Sequence, residues 1–172
     1  SPADGYTVVM GALSTHAVNP SLYPTMPYDA VKDFAPISLV AITPNVLIVN
    51  AATPVNSVRD MIAFAKANPG KVNFGSFGKG AQNHIIDERF KIAAGISTTH
   101  VPYKGSGPMI VDLVGGQVDY TFATPAVTLP LARAGKLKIL AVGAAQRLAA
   151  AAEVPTMSEA GLPGFTAGSW YG

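Results

Sequence analysis

The stretch VNFGSFGKGAQNHIIDERF, Val72 to Phe90, gathers residues whose types and spacing suit chemistry. A short apolar run meets a glycine-rich turn, and a helical pattern follows that carries His84, Asp87 and Glu88. Glycines let a backbone fold tightly and expose its N–H groups. A helix N-terminus adds unpaired donors and a partial positive charge. Together these hold a small anion, a carboxylate or a phosphate, without an arginine. The plainer reading, a strand–helix turn with no ligand, fits the same glycines. The turn is not a Walker loop, and Gly78-Lys79-Gly80 lacks the third glycine of a dinucleotide fingerprint.

Other chemistries are weaker. There are no cysteines, which removes disulfides, thiolate metal sites and cysteine nucleophiles. His16, His84 and His100 are the only histidines. A Ser76–His84 pair would span the turn, but no carboxylate is marked to orient it and no Gly-x-Ser-x-Gly elbow is present. His84 lies about one turn into its helix and reads as a packing or capping residue. His84, Asp87 and Glu88 have helical spacing for a metal, yet Asp87, Glu88, Arg89 and Lys91 read as an exposed, salt-bridged face. No catalytic residue, metal site or cofactor is therefore expected. Tyr28, Tyr103 and Trp170, taken singly, read as core.

The elements that must position this turn alternate. After "YTVVM", read as a buried strand over Tyr6–Met10, comes a proline-rich loop with one helical turn over Ala17–Leu22. "PISLVAI" and "NVLIVN" read as strands split at Thr43-Pro44. Helices are predicted over "SVRDMIAFAKANPG", with Ser57 as N-cap, over Ala81–Ala94 with a stripe of Ile85, Ile86, Phe90 and Ala93, over "GPMIVDLVGG" and over "AVTLPLARAG". The strands "KVNFGS", "TTHVPY", "VDYTFA" and "LKILAVG" separate them. This order indicates α/β architecture with a largely parallel sheet. A short helix capped by Thr156 or Ser158 and a last strand, "SWYG", close the chain. Ligands bind such sheets where strands end and helices begin. Four strand ends qualify: "GALSTHAVNP" with Ser14 and Thr15, the glycine turn, "YKGSGPM", and "FATPAV" with Thr124. With 172 residues, 49% hydrophobic and 13% charged, the chain can build a real core. A net charge of +2 with scattered Lys and Arg gives no footprint for nucleic acid.

Read in order, "ADGYTVVMG", "HAVNPSLYPTMPYDAVKDFAPISLVA", "NPGKVNFGSFGKGAQNHIIDERF", "HVPYKGSGPMIVDLVGGQVD", "RAGKLKILAV" and "VPTMSEAGLPGF" resemble the Bug-type extracytoplasmic solute-binding proteins of tripartite tricarboxylate transporters. The resemblance implies a type II periplasmic-binding-protein fold, with two lobes, each a mostly parallel sheet flanked by helices. It implies a first lobe, residues 1–43 and 144–172, that is truncated, and a second lobe, residues 44–143. The crossings would be the bend at Thr43-Pro44 and the alanine-rich segment. It also implies a periplasmic, non-enzymatic protein that holds a small carboxylate and hands it to membrane transporter subunits. Carried over by motif, the ligand-binding residues are Ser14 and Thr15 from the first lobe, and Ser76, Phe77, Gly78, Gly80, Ala81, Ala123 and Thr124 from the second. Some relatives have an acidic residue, suited to a ligand ammonium, where this chain reads Ala123-Thr124; that favours a di- or tricarboxylate over an amino acid. An incomplete first lobe would expose core and favour a homodimer. The alternatives are an α/β hydrolase or transferase using Ser76 and His84, and a ligand-sensing partner of a membrane kinase.

Overall fold

The structure, a computed structural model, describes residues 4–172. The chain divides into two compact units: residues up to Thr43 together with Ser169–Gly172, and Pro44–Gly168.

In the smaller unit a π-helical turn, Ser14–Val18, runs into the short helix α1, Asn19–Leu22. The rings of His16, Tyr28, Phe34 and Trp170 pack together, with His16 edge-on to Phe34 at 4.6 Å and Tyr28 edge-on to Phe34 at 5.6 Å. Strand β1, Ala41–Pro44, pairs in a two-stranded sheet with a strand over Gly168–Tyr171. The expected buried strand over Tyr6–Met10 is not one. These residues form no regular element, and Tyr6 is 93% exposed. Of "PISLVAI", only Ala41 and Ile42 enter a strand. Apolar, β-branched runs become buried strands only where a ladder partner and a covering layer exist, and residues 6–10 have no strand partner among the described residues.

The larger unit is a five-stranded sheet with helices on both faces. Its strands are β2, Val46–Asn50, β3, Asn73–Ser76, β4, Thr99–Pro102, β5, Tyr120–Ala123, and β6, Leu137–Val142. The spatial order is β4-β3-β5-β2-β6. β3 runs parallel to β4 and β5, but β2 is antiparallel to both β5 and β6. Four strands thus share one direction, in line with a mostly parallel sheet, and β2 alone opposes them. A strand buried on both faces is a continuous apolar run whichever way it points, so VLIVN carries no direction.

Every residue of β2 is buried. Leu47 and Val49 face a cluster with Met61, Phe74, Phe90, Tyr120 and Phe122; Val46 and Ile48 face another with Met109, Leu113, Val118 and Val142. The first face is covered by α2, Val58–Ala67, and α3, Gln82–Ala94, and the second by α4, Ser106–Val114, and α5, Pro125–Arg133. Ser57 caps α2 as predicted, accepting from the Asp60 amide at 3.1 Å. Gly95, with φ of 61°, ends α3. Gly75 lets α4 lie close, since a Cβ there would meet Met109 Cγ at 3.0 Å.

The expectation that residues 144–172 belong with the first lobe fails for most of that segment. Met157, Leu162, Phe165 and Ala167 join the core of the larger unit, and the chain leaves that unit after Gly168. The alanine-rich run forms turns, not a helix. Thr156 and Glu159 form a reciprocal box: Thr156 Oγ1 accepts from the Glu159 amide at 3.1 Å, and Glu159 Oε2 accepts from the Thr156 amide at 2.7 Å. It closes a single turn. Arg89, above the Phe165 ring and donating to the Thr166 carbonyl at 3.2 Å, pins the end of the segment.

The Asn45 amide donates to Ala167 O, the Ala167 amide to Gly143 O and the Gly143 amide to Asn45 O, each at 2.8 Å. A Cβ on Gly143 would meet Ala167 atoms at 2.5–2.7 Å, two of them backbone. Gly143→Val is therefore expected to cost about 2–4 kcal/mol through forced separation of these segments. Urea unfolding checks it, with Gly107→Val, where a Cβ would meet only open space, as the reference.

Candidate functional site

Three strand–helix turns of the larger unit meet around a hollow of about 160 Å³, lined by Phe77, Ser106, Ile110, Ala123, Thr124 and Val127. They follow β3, β4 and β5, whose parallel register brings their carboxyl ends together. The Tyr103 amide donates to Ser76 O at 2.9 Å and the Gly105 amide to Phe77 O at 3.2 Å, tying the first turn to the second. Thr124 N-caps α5 in extended conformation, and its carbonyl accepts from Thr128 Oγ1 at 3.1 Å. The walls are mostly apolar, with the Ser106 and Thr124 hydroxyls as polar residues of the lining.

The glycine turn is built differently from the expectation of exposed amides. Phe77 N–H donates to Asn83 Oδ1 at 3.2 Å, Gly78 N–H to Ser76 Oγ at 3.2 Å, Gly80 N–H to His84 Nδ1 at 3.1 Å and Ala81 N–H to Gly78 O at 3.2 Å. Four amides of the predicted set are thus satisfied inside the turn. The amides of Lys79, within the turn, and of Gln82 and Asn83, at the N-terminus of α3, have no hydrogen-bond partner among the described residues. Gly78 at φ 137° and Gly80 at φ 76° occupy backbone conformations that side chains disfavour.

Ser76 is wholly buried, and its Oγ meets His100 Nε2 at 2.5 Å and Gly78 O at 3.1 Å. Its role is to shape the turn. The histidine facing it is His100 on β4, not His84, because the β3–β4 ladder places Phe74 opposite His100. His84 and His100 stack with centroids 4.0 Å apart and planes 13° apart. Burial and the neighbouring His84 push the His100 pKa below its ordinary value.

Behind the turn, Asn83 is buried and donates to Thr121 Oγ1 at 3.3 Å. The expected exposed face of α3 is half wrong. Glu88 does bond Lys91 at 2.8 Å, but Asp87 is fully buried, with Tyr120 O–H donating to its Oδ1 at 2.5 Å and Thr98 beside that phenol at 2.9 Å. Positions 83, 87, 90 and 94 share one helix face, so Asp87 is in phase with Phe90. Ala93, expected in the stripe, is exposed.

Of the predicted ligand residues, Phe77, Ala123 and Thr124 line the hollow, Gly78, Gly80 and Ala81 shape its neighbouring turn, and Ser76 lies beneath. Ser14 and Thr15 lie in the smaller unit, where Thr15 Oγ1 bonds Ala12 O at 3.0 Å and His16 Nδ1 at 2.8 Å. Of the other lining residues, the turns singled out from the sequence contain Ser106 and Val127, while Ile110 lies in the helix that follows the first of them. Among the described residues no helix is long and apolar enough to cross a membrane.

The fold is shared with the solved periplasmic binding protein BugD, 31% identical, with a TM-score of 0.90 over 100% of this chain and 57% of that one. The chain belongs to the tripartite tricarboxylate transporter family receptors, whose family model matches residues 1–172. It is 39% identical to protein BugT of Bordetella pertussis over 99% of this chain and 53% of that protein. The R. palustris protein Rpa4515, solved with adipate, is 41% identical, with a TM-score of 0.93 over 99% of this chain and 57% of that one. MatC of Rhodopseudomonas palustris, solved with bound malate, is 31% identical, with a TM-score of 0.86 over 95% of this chain and 55% of that one. The chain spans about half the length of the curated relatives it matches.

Burial pushes the Asp87 carboxyl up to about 7, against which the Tyr120 hydrogen bond acts only in part. A carboxyl whose pKa is raised on folding favours the folded state fully below its unfolded value near 3.8, and that contribution is lost as pH rises to about 7. Asp87→Asn removes the titration. Its stability relative to the parent is expected to climb between about pH 4 and pH 7, by up to a few kcal/mol, and to level off above. Denaturant melts across that range check the sign; a flat difference would show that Asp87 is not held protonated.

Proposed function

We propose that this chain forms part of a periplasmic receptor that captures a small aliphatic dicarboxylate reversibly and presents it to the membrane subunits of its transporter. The observation that carries the reading is the hollow where the turns after β3, β4 and β5 meet. Its Phe77, Ile110 and Val127 walls suit a methylene chain, and the Thr124 and Ser106 hydroxyls suit the polar end of an acid. The unpartnered amides of Lys79, Gln82 and Asn83 add uncharged donors and the favourable end of the α3 dipole. No arginine or lysine lines this hollow, which fits a ligand that must be released again.

Membership of the family supports the receptor role, and a relative solved with adipate and another with malate support the acid class. The apolar lining favours the adipate-like ligand over a hydroxylated one. Differential contacts between an open and a closed state would then supply the signal to the membrane partner.

Calorimetry on the full-length protein with adipate, malate and citrate tests this. Adipate is expected to bind more tightly than malate, and Gly78→Val to weaken adipate by at least about tenfold, or 1.4 kcal/mol. That variant forces a side chain into φ near 137° and should cost the fold only about 1–3 kcal/mol. Adipate affinity unchanged by Gly78→Val would remove the turn from the site.

A further inference from the structure

The stacked histidines are not accounted for by ligand contact, since neither lines the hollow. His84 Nδ1 accepts the Gly80 N–H at 3.1 Å, so this nitrogen must carry no proton, and the proton of the neutral ring sits on Nε2, which faces Glu88 Oε1 at 3.7 Å. His100 Nε2 meets Ser76 Oγ, and that hydroxyl also holds both ends of the Gly78 peptide unit's neighbourhood, its own N–H at 3.2 Å and its carbonyl at 3.1 Å. One imidazole therefore fixes the far end of the glycine turn and the other fixes its near end. They touch face to face.

We propose that His84 and His100 are positioning residues for the anion site: together they hold the Ser76–Gly80 turn in its binding shape, and protonation of His84 releases its Gly80 end, so that carboxylate affinity falls with acidification. A proton on His84 Nδ1 turns an acceptor into a second donor aimed at the Gly80 N–H, which breaks that bond. Two charged rings 4.0 Å apart would also repel. The charged groups facing the pair are Glu88 and Lys91 on α3 and Lys79 on the turn; Asp87 points away to Tyr120. Glu88 favours protonation, while Lys91 and Lys79 oppose it at His100, as does burial. Glu88 is already shared with Lys91 at 2.8 Å.

The inference rests on the carboxylate reading for its functional half, and on the turn's hydrogen bonds for its structural half. Two measurements on the full-length protein separate them. The first is hydrogen exchange of the 76–82 segment without ligand, corrected for intrinsic rates, at about pH 8 and about pH 6. The turn is expected to lose protection at the lower pH by a few-fold relative to the sheet, and His84→Asn is expected to abolish that change. Equal protection at both pH values overturns the inference whatever the ligand.

The second is adipate calorimetry at the same two pH values. Parent affinity is expected to fall a few-fold from pH 8 to pH 6. His84→Ala should weaken binding at both, and His84→Asn, whose Oδ1 can accept the Gly80 N–H without titrating, should restore most of the loss and flatten the pH profile. A profile retained in the His84→Asn, His100→Asn double variant, or an affinity that rises on acidification, overturns the inference. A turn that loosens with acid in a protein that binds no carboxylate at either pH would overturn the functional half and the carboxylate reading together, and leave the turn's own switch standing.

Discussion

A chain reversal as tight as Ser76–Ala81 leaves backbone amides with no ladder partner, and an unmet buried amide costs about 1–3 kcal/mol. The rest of the site follows from how this chain meets that demand. Side chains do it: Ser76 from the end of β3, Asn83 and His84 from the first turn of α3. Each of these is held in turn, Ser76 by His100 on the neighbouring strand and Asn83 by Thr121 on β5. The conformation of the turn is thus shared among three strands and a helix. Glycine supplies permission for the shape at positions 78 and 80, and the polar side chains select it.

The sheet beneath supplies the frame. β2 lies between β5 and β6 with both faces covered, so a one-residue slip would drive each of its apolar sets into the core packed for the other. Because β3, β4 and β5 run the same way, their carboxyl ends reach a common edge. The small residues needed for close approach lie in the same strands, as Gly75 against Met109 shows.

Much of this was legible in the sequence. The βα alternation over 45–143, the cap at Ser57, the stop at Gly95 and the glycine turn's place between β3 and α3 all follow from local chemistry. Three things were not legible, each for a physical reason. Strand direction was hidden by two-sided burial of β2. The partner of Ser76 depends on a pairing register, Phe74 opposite His100, that no local pattern encodes. Asp87 looked like surface because carboxylates almost always are; only its phase with Asn83 and Phe90 hinted otherwise. The apolar run Tyr6–Met10 shows the reverse case, a strand-like composition that is exposed where no ladder partner is present among the described residues.

The hydrogen-bonded trio of Asn45, Gly143 and Ala167 has a topological meaning. The larger unit begins at Pro44 and finishes at Gly168, so its two termini emerge side by side, a single 2.8 Å bond joining residues 45 and 167. In chain terms it is a self-contained cassette, spliced into the remainder through one doorway. Such a module could be excised, grafted into another host or circularly reopened at a surface loop with its core intact.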